Sequence, residues 1–422
     1  MNPRHLVLCL DGTWNNAYKL KKRTDGEAVL KPSNVLKTAR AAVPHDPVSD
    51  RQQLVYYDVG VGSIVKYRGM SNRMLATTDR LLGGTWGAGF EGNIEEALTF
   101  LVLNHQPGDQ VFIFGFSRGA AAAQAVTRFI DWAGGLPVKN DAYYLPILFR
   151  GYIDSRGAES CEAVCQRLEV SSLEQFRRVD VVFLGVWDTV MALGARSRAR
   201  GSRTSPANRS FHIGPYPARC VQHARQALAV DEIRYDFRPE IWTGPAAASQ
   251  TLRQRWFAGV HSNIGGGYVD DGLANLALHW MISEAQEHGL AVDDHYLTKF
   301  RGYAQDRLYR SESLFFRIGD AIRWRAGRGK RLITSEPASS GFSLDVSVFH
   351  RMRADPAERV SGHPDRLRHP DLKTLYRPGN VLNCLAGEPD LTAYLQSIGL
   401  TPPELPEDVM RDIEKRRSPN RR

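Results

Sequence analysis

The chain has 422 residues, of which 42% are hydrophobic and 24% are charged, and its formal net charge is +9. These proportions exclude collagen-like, low-complexity and globally disordered proteins, and the length suits one large α/β domain with insertions or two domains. The basic surplus permits a nucleic acid, an anionic lipid or an acidic substrate as a partner. Five scattered cysteines argue against a disulfide framework and indicate a reducing compartment.

The N-terminal apolar run Leu6–Leu10 ends at Asp11 and is too short for the core of a signal peptide. No uninterrupted stretch of about 18 apolar residues occurs elsewhere, so the sequence predicts no membrane-spanning helix. We therefore expect a protein that is cytoplasmic where it is made. Export into a neighbouring cell would proceed without a cleaved leader.

Short apolar runs alternate with helical patterns along the first 300 residues. The runs predict buried strands at His5–Leu10, Leu54–Tyr57, Val111–Phe114, Val179–Val186 and Trp256–Val260. The helical patterns predict helices at Asn93–Leu103, Ala120–Ala133, Cys161–Leu168, Val221–Asp236 and Leu273–His288. This alternation is typical of an α/β fold. It predicts an α/β-hydrolase-like, doubly wound and mostly parallel sheet with helices on both faces and helical and loop insertions.

The same patterns divide the chain into three parts. Residues 1–300 are expected to form the catalytic core, with insertions at about 141–178 and 189–220. Residues 301–400 would be an extension packed on that core, and residues 401–422 a basic, mobile tail. The second insertion belongs to a segment, residues 189–230, that contains no Asp or Glu.

The strongest chemical signal is the G-x-S-x-G pattern of residues 115–119, centred on Ser117. It lies between the predicted strand Val111–Phe114 and an alanine-rich helix start, which is the context that a nucleophile elbow requires. In such a turn the serine hydroxyl is exposed beside the positive end of a helix. A plain strand–helix turn with a capping serine is the alternative interpretation.

Two later strand ends supply a base and an acid for this serine. Asp188 follows the run 181–187, and His261 follows the run 256–260 and precedes a glycine-rich loop. The carboxyl ends of parallel strands lie along one edge of a sheet, where α/β proteins build their sites. The order Ser117, Asp188, His261 is that of an α/β-hydrolase. Asp270 and Asp271 remain alternative acids, and a buried structural histidine remains the alternative for His261.

The oxyanion hole of such an enzyme needs two backbone N–H groups. One should come from Arg118, directly after the nucleophile. The other is expected from Gly12 or Thr13, after the first strand, although a tight turn explains these residues equally well. Further contacts with a substrate or anion are expected from Asp11 and from the arginine-rich loop, through Arg196, Arg198 and Arg200. No metal site or cofactor is expected.

Several stretches, in the right order, resemble the catalytic domain of the type VI secretion phospholipase effectors. They are residues 10–15 (LDGTWN), 115–120 (GFSRGA), 185–190 (GVWDTV), 227–232 (ALAVDE) and 256–268 (WFAGVHSNIGGGY), with weaker matches at 346–351 and 376–380. The resemblance implies an α/β-hydrolase that uses Ser117, Asp188 and His261 as a lipase or esterase triad. It also implies acyl esters of phospholipids as the leading substrate.

The expected function is therefore a serine hydrolase that cleaves carboxylic esters through an acyl-Ser117 intermediate. Its expected partners are a lipid or other ester substrate, the membrane periphery, a secretion apparatus and an immunity protein. Residues 314–331 alternate basic and apolar side chains, which is compatible with a helix lying on a membrane or with a solvated helix face. An esterase acting on a non-lipid or polyester substrate is one alternative. A basic nucleic-acid-binding or scaffold protein without activity is another, although nucleic acid is the less expected partner.

Overall fold

The computed structural model describes most of the chain, and the account below concerns that part. The described ranges are residues 3–12, 20–22, 28–60, 85–170, 176–190, 213–234, 237–310, 331–333, 340–361, 373–400 and 405–417. Thr13, the predicted arginine-rich contacts at 196, 198 and 200, and all of the predicted basic stretch except its last residue, Arg331, lie outside them.

An eight-stranded sheet organises the molecule. Its strands are β1 His5–Leu10, β4 His45–Asp46, β5 Arg51–Asp58, β6 Gln110–Phe116, β9 Asp180–Trp187, β10 Val221–Ala229, β11 Thr251–Phe257 and β12 Phe342–Leu344. They lie in the order β12-β11-β10-β9-β6-β1-β5-β4, and all neighbouring strands are parallel except β4, which pairs with β5 in the antiparallel sense. Two small hairpins pair β2 Leu20–Lys22 with β3 Ala28–Leu30 and β7 Leu136–Pro137 with β8 Phe176–Arg177.

Helices cover both faces of the sheet, and each face has its own core. The alternation along β1 shows the division, because Leu6 and Leu8 pack into one core and Val7 and Cys9 into the other. The first core is covered by helices Thr85–Asn104, Arg118–Ala133, Leu145–Ser155 and Cys161–Arg167. The second is covered by helices Asn34–Ala41, Gly272–Gln286 and Asp294–Leu297. The predicted α/β, mostly parallel architecture is confirmed.

One predicted helix is wrong. Residues expected to form a helix over Val221–Asp236 instead form β10, a strand between β9 and β11. Its polar side chains suggested an amphipathic helix, but tertiary contacts bury them: Arg225 pairs with Glu284, and Gln226 donates to the carbonyl of Glu240. Burial on a central strand overrides a weak local preference for helix.

The C-terminal residues add a third core at the β11–β12 edge of the sheet. Leu228 and Trp256 of the sheet pack there against helices Val346–Arg353, Gly379–Gly387, Leu391–Ser397 and Glu407–Arg417. Helix Pro356–Ser361 lies between the first two of these in the chain. The structure differs from the expected mobile tail over residues 407–417, because Val409 and Ile413, one helical turn apart, are buried in this core. The boundary near residue 300 stays a prediction.

The first predicted insertion carries the short 3-10 helix Lys139–Tyr144, helices Leu145–Ser155 and Cys161–Arg167, and strand β8. Of the second, residues 191–212 are not among the described residues. Among the helices that the structure describes, none is both long and apolar enough to cross a lipid bilayer.

Candidate active site

Ser117 stands on a sharp turn between β6 and the helix Arg118–Ala133. Its φ of 58° and ψ of −119° are strained for a residue with a side chain. The flanking glycines permit this turn. A Cβ on Gly115 would lie 2.5 Å from the carbonyl oxygen of Gly119, and a Cβ on Gly119 would lie 2.1 Å from that of Leu10. The two glycines therefore allow the strand, the helix and the end of β1 to approach closely.

Strand register brings the second and third predicted residues to the same edge. Phe116 at the end of β6 is paired with Trp187 at the end of β9, so Ser117 and Asp188 leave the sheet side by side. The peptide N–H of Ser117 donates to the carbonyl of Trp187 over 3.0 Å. His261 begins the short helix that follows β11, two strands beyond β9.

The three side chains form a continuous hydrogen-bonded relay. His261 Nε2 lies 2.8 Å from Ser117 Oγ, and His261 Nδ1 lies 2.6 Å from Asp188 Oδ2. All three residues are buried, with Asp188 fully so. This is the geometry in which an imidazole can accept a proton from a hydroxyl while a carboxylate fixes its orientation.

His261 is enclosed by aromatic rings and held by its backbone. The ring of Phe116 lies 4.6 Å from the imidazole, and that of Phe237 meets it edge-on at 4.9 Å. The peptide N–H of His261 donates to Glu232 Oε2 over 3.3 Å. Burial lowers the pKa of His261 against the opposing effect of Asp188, so the imidazole is neutral at pH 7 and able to accept a proton.

Asp188 is an ionised carboxylate on a strained backbone, with φ at 45°. Its Oδ1 accepts the peptide N–H of Ala229 over 3.0 Å. Burial alone would raise the pKa of Asp188, but the guanidinium of Arg331 and the hydrogen bond with His261 outweigh that effect and hold the pKa well below its usual range. The carboxylate is therefore ionised at neutral pH.

Arg331 was not among the predicted site residues. Its Nη1 and Nη2 atoms donate to Asp188 Oδ1 and Oδ2 over 2.5 and 2.9 Å, and its guanidinium is buried. In the sequence it is only the last residue of the predicted basic stretch 314–331, and no local pattern distinguishes it from a surface arginine.

The acidic pair after β10 was also missing from the predicted site, although residues 227–232 carried part of the resemblance. Asp231 Oδ2 accepts the peptide N–H of Gly259 and the hydroxyl of Tyr376. Glu232 is held by Arg234 and accepts the N–H of His261. The two carboxylates therefore fix the loop that carries the imidazole.

The structure directs Asp11 into the protein. Its Oδ1 accepts the N–H of Gly12 over 2.6 Å, and its Oδ2 accepts the hydroxyls of Ser33 and Tyr57 over 2.5 and 2.8 Å. The carboxylate expected to touch a substrate thus braces the loop after β1. Because the N–H of Gly12 is already donated to Asp11, its use as an oxyanion donor would require that bond to open. Arg118 begins the helix directly after Ser117, two residues before the predicted start at Ala120.

The alternative acids lie in other networks. Asp271 Oδ2 accepts from Lys37 Nζ over 2.7 Å, and Lys37 is completely buried. Asp270 accepts from the hydroxyl of Tyr309 and from Arg307. Of the three candidates, Asp188 is the one whose carboxylate meets His261. Within the described ranges no group of three or more His, Cys, Asp or Glu side chains is placed to hold a metal ion.

Comparison with known proteins finds a family model, a curated relative and solved structures that match this chain. A family model described as "T6SS, Phospholipase effector Tle1-like, catalytic domain" matches residues 4–284. The uncharacterized protein YEL023C of Saccharomyces cerevisiae (strain ATCC 204508 / S288c) is 26% identical over 254 residues, which cover 57% of this chain and 33% of the yeast protein. The chain thus spans about a third of the length of that curated relative.

Two solved structures are also similar. The structure of the Tle1 effector bound to the VgrG spike of the type VI secretion system has a TM-score of 0.44 and 17% identity, covering 80% of this chain and 83% of that one. An uncharacterized protein from Pseudomonas aeruginosa has a TM-score of 0.40 and 18% identity, covering 99% of this chain and 62% of that one. The family model alone matches well over half of the chain, and the chain therefore belongs to the Tle1-like phospholipase effector catalytic-domain family of the type VI secretion system.

Proposed function

We propose that this protein is a serine hydrolase that cleaves acyl esters of phospholipids through an acyl-Ser117 intermediate. The observation that carries the proposal is the relay Ser117–His261–Asp188 at the carboxyl edge of the sheet, with Oγ to Nε2 and Nδ1 to Oδ2 distances of 2.8 and 2.6 Å. Membership of a phospholipase effector family supports a lipase-type reaction and a lipid substrate.

In the proposed reaction Ser117 Oγ attacks the ester carbonyl while His261 Nε2 takes its proton. Asp188 stabilises the imidazolium that forms. The N–H of Arg118, at the start of a helix, would donate to the oxyanion together with a second backbone group from residues 12–13. His261 returns the proton to the alcohol as the C–O bond breaks, which leaves an acyl-serine. A water molecule, activated by the same imidazole, then releases the fatty acid.

The expected partners follow from the family. We propose that the protein contacts the membrane periphery as it meets its substrate, that a secretion apparatus delivers it into a neighbouring cell, and that an immunity protein protects the producing cell. The family model carries the assignment to type VI secretion. A spike-bound relative is known from the solved Tle1–VgrG complex.

The test is incubation of the wild-type chain and of Ser117→Ala with a mixed lipid extract, followed by mass spectrometry of the products. We expect fatty acid and the matching lysolipid with the wild type only, together with labelling of Ser117 by a fluorophosphonate. Labelling without lipid products, but with cleavage of a small or polymeric ester, would move the function to a non-lipid esterase. No labelling, combined with steeply salt-dependent binding of DNA or RNA, would favour the non-enzymatic alternative.

A further inference from the structure

We propose that Arg331, a residue beyond the segment matched by the family model, is a positioning residue that fixes Asp188 and so holds His261 in its reactive orientation. The proposal rests on the proposed function, since it gives Arg331 a place in the reaction of Ser117. The matched segment ends at residue 284. The part of the chain expected to be an accessory extension would thus complete the site.

The guanidinium makes a two-pronged contact with the acid. Nη1 donates to Oδ1 and Nη2 to Oδ2 of Asp188, so each carboxylate oxygen is held by its own hydrogen bond from one planar group. Such forked pairs define an orientation as well as a charge, which a lysine ammonium does not. Asp188 Oδ2 is also the atom that meets His261 Nδ1. The orientation of the carboxylate therefore determines the position and orientation of the imidazole.

The same guanidinium joins the other walls of the site. Nη1 donates to the carbonyl of Ala229, whose N–H binds Asp188, and Nη2 donates to the carbonyl of Phe237, whose ring packs against His261. Asn380 Nδ2 in turn donates to the carbonyl of Arg331 over 3.2 Å and to that of Val230 over 2.9 Å. The C-terminal helix Gly379–Gly387 is thus connected to Asp188 through Arg331.

The charge of Arg331 bears on the base through Asp188. The other charged groups facing His261 are Glu232 and Arg234, which form an ion pair with each other at 2.9 Å. If Arg331 is removed, the full negative charge of Asp188 acts on the imidazole and favours its protonated form. Activity that needs a neutral His261 is then lost at a higher pH.

The primary experiment compares Arg331→Met and Arg331→Lys with the wild type in hydrolysis of p-nitrophenyl butyrate across pH. For Arg331→Met we expect kcat to fall roughly 10²-fold or more with little change in KM. Asp188 is then an uncompensated buried charge that is no longer held in the orientation that His261 needs. The acid limb of kcat/KM should move up by about one pH unit. Wild-type kcat and an unmoved limb would overturn the proposal.

Arg331→Lys keeps the charge and removes the fork, and it covers the case in which the methionine variant does not fold. We expect its acid limb to stay at the wild-type position while kcat falls roughly tenfold, since the carboxylate plane is no longer fixed. A lysine variant with the wild-type kcat would show that the fork is dispensable and would refute the positioning role.

Arg225→Met is the matched control. Arg225 is also buried and ion-paired, with Glu284 at 2.5 Å, but it lies in the interior of β10 and contacts none of the three site residues. We expect it to lower the melting temperature and leave the acid limb unmoved. A shifted limb in this variant as well would show that the pH effect follows loss of any buried arginine, which would contradict the assignment.

A readout without turnover separates this proposal from the proposed function. The proton between His261 Nδ1 and Asp188 should give a far-downfield NMR resonance, whose titration reports the pKa of the imidazole. We expect its midpoint to rise in Arg331→Met relative to wild type, even if the chain cleaves no ester. An equal midpoint in the two proteins would overturn the role of Arg331. If the wild type cleaves no ester but the midpoint still rises in Arg331→Met, only the proposed function is overturned.

Discussion

Polar and charged side chains are buried at both ends of the central strands, but the backbone conformations of these residues differ. At the amino-terminal half of the sheet, Arg225 and Glu284 pair, and His5 is hydrogen-bonded to Gln53 and Gln110, all from ordinary strand or helix positions. At the carboxyl edge, Ser117 and Asp188 have positive φ. Among the buried non-glycine residues that the structure describes, positive φ is thus confined to the edge that carries the hydrogen-bonded Ser117, His261 and Asp188.

The other positive-φ residues sharpen this contrast. In the described chain five non-glycine residues have positive φ; three of them, Asp50, Arg156 and Glu169, are exposed. The remaining two are the buried Ser117 and Asp188. A strained conformation costs on the order of 1–3 kcal/mol and persists where surrounding structure enforces it, which is typical of functional sites. A cavity of about 570 Å³ lies at the amino ends of β9 and β10. Of the described residues that line it, only glycines have positive φ.

The largest effect should come from removing the hydroxyl at the strained edge. Ser117→Ala is expected to lower ester turnover by about 10⁴-fold or more, since losing a nucleophile removes the covalent route. Ser347→Ala is the control, because Ser347 is also buried and its Oγ has no hydrogen-bond partner among the residues that the structure describes. Both should melt near the wild-type temperature. Equal turnover in Ser117→Ala and wild type would remove Ser117 from the mechanism.

The choice of acid gives the next largest effect. Asp188→Asn should reduce kcat by about 10⁴-fold, because an amide cannot stabilise the imidazolium or hold the correct tautomer. Asp271→Asn removes the negative charge that pairs with the buried Lys37 and should cost stability while turnover stays within about twofold of wild type. Rates measured below both melting temperatures decide between them. A larger loss of rate in Asp271→Asn would reverse the assignment.

The tight packing behind the serine turn predicts a loss of stability. Gly119→Ala places a Cβ against the backbone oxygens of Leu10 and Asp11 and should cost about 1–3 kcal/mol. Gly92→Ala meets nothing within 4 Å on the helix Thr85–Asn104 and should stabilise the protein by about 0.5–1 kcal/mol. Denaturant unfolding measures both. Two neutral outcomes would show that the close approach of strand and helix is not needed.

The smallest effect concerns the wild-type pH profile. Burial lowers the pKa of His261 below 6.5, against the raising effect of Asp188. Because the base must be neutral, kcat/KM should be constant near pH 7 and decline only as pH falls through a midpoint below 6.5. The same shift means that stability from the neutral imidazole is lost as pH falls. A midpoint above 6.5 would mean that the Asp188 charge outweighs burial.

Much of this architecture could be predicted from local patterns. The apolar runs located the strands β1, β5, β6 and β9 to within a few residues, because continuous apolarity marks strands buried on both faces. The predicted strand Trp256–Val260 overlaps only the last two residues of β11, Thr251–Phe257. The strand–serine–helix pattern located the turn at Ser117, and the order of strand ends brought Asp188 and His261 to the same edge. The strand β10 was mistaken for a helix because its polar residues are satisfied by distant partners.

The sequence by itself determined the strands β1, β5, β6 and β9 and placed Ser117 and Asp188 directly after two of them, since these features follow from periodicity and from glycine positions along the chain. Only the tertiary structure decided that Asp188, rather than Asp270 or Asp271, contacts the imidazole. It also decided that Asp11 braces a loop and that Arg331 binds Asp188 from 143 residues away. The reason is physical. The pattern of neighbouring residues along the sequence indicates whether a side chain is buried. The packing of whole helices and strands determines which partner a buried charge meets.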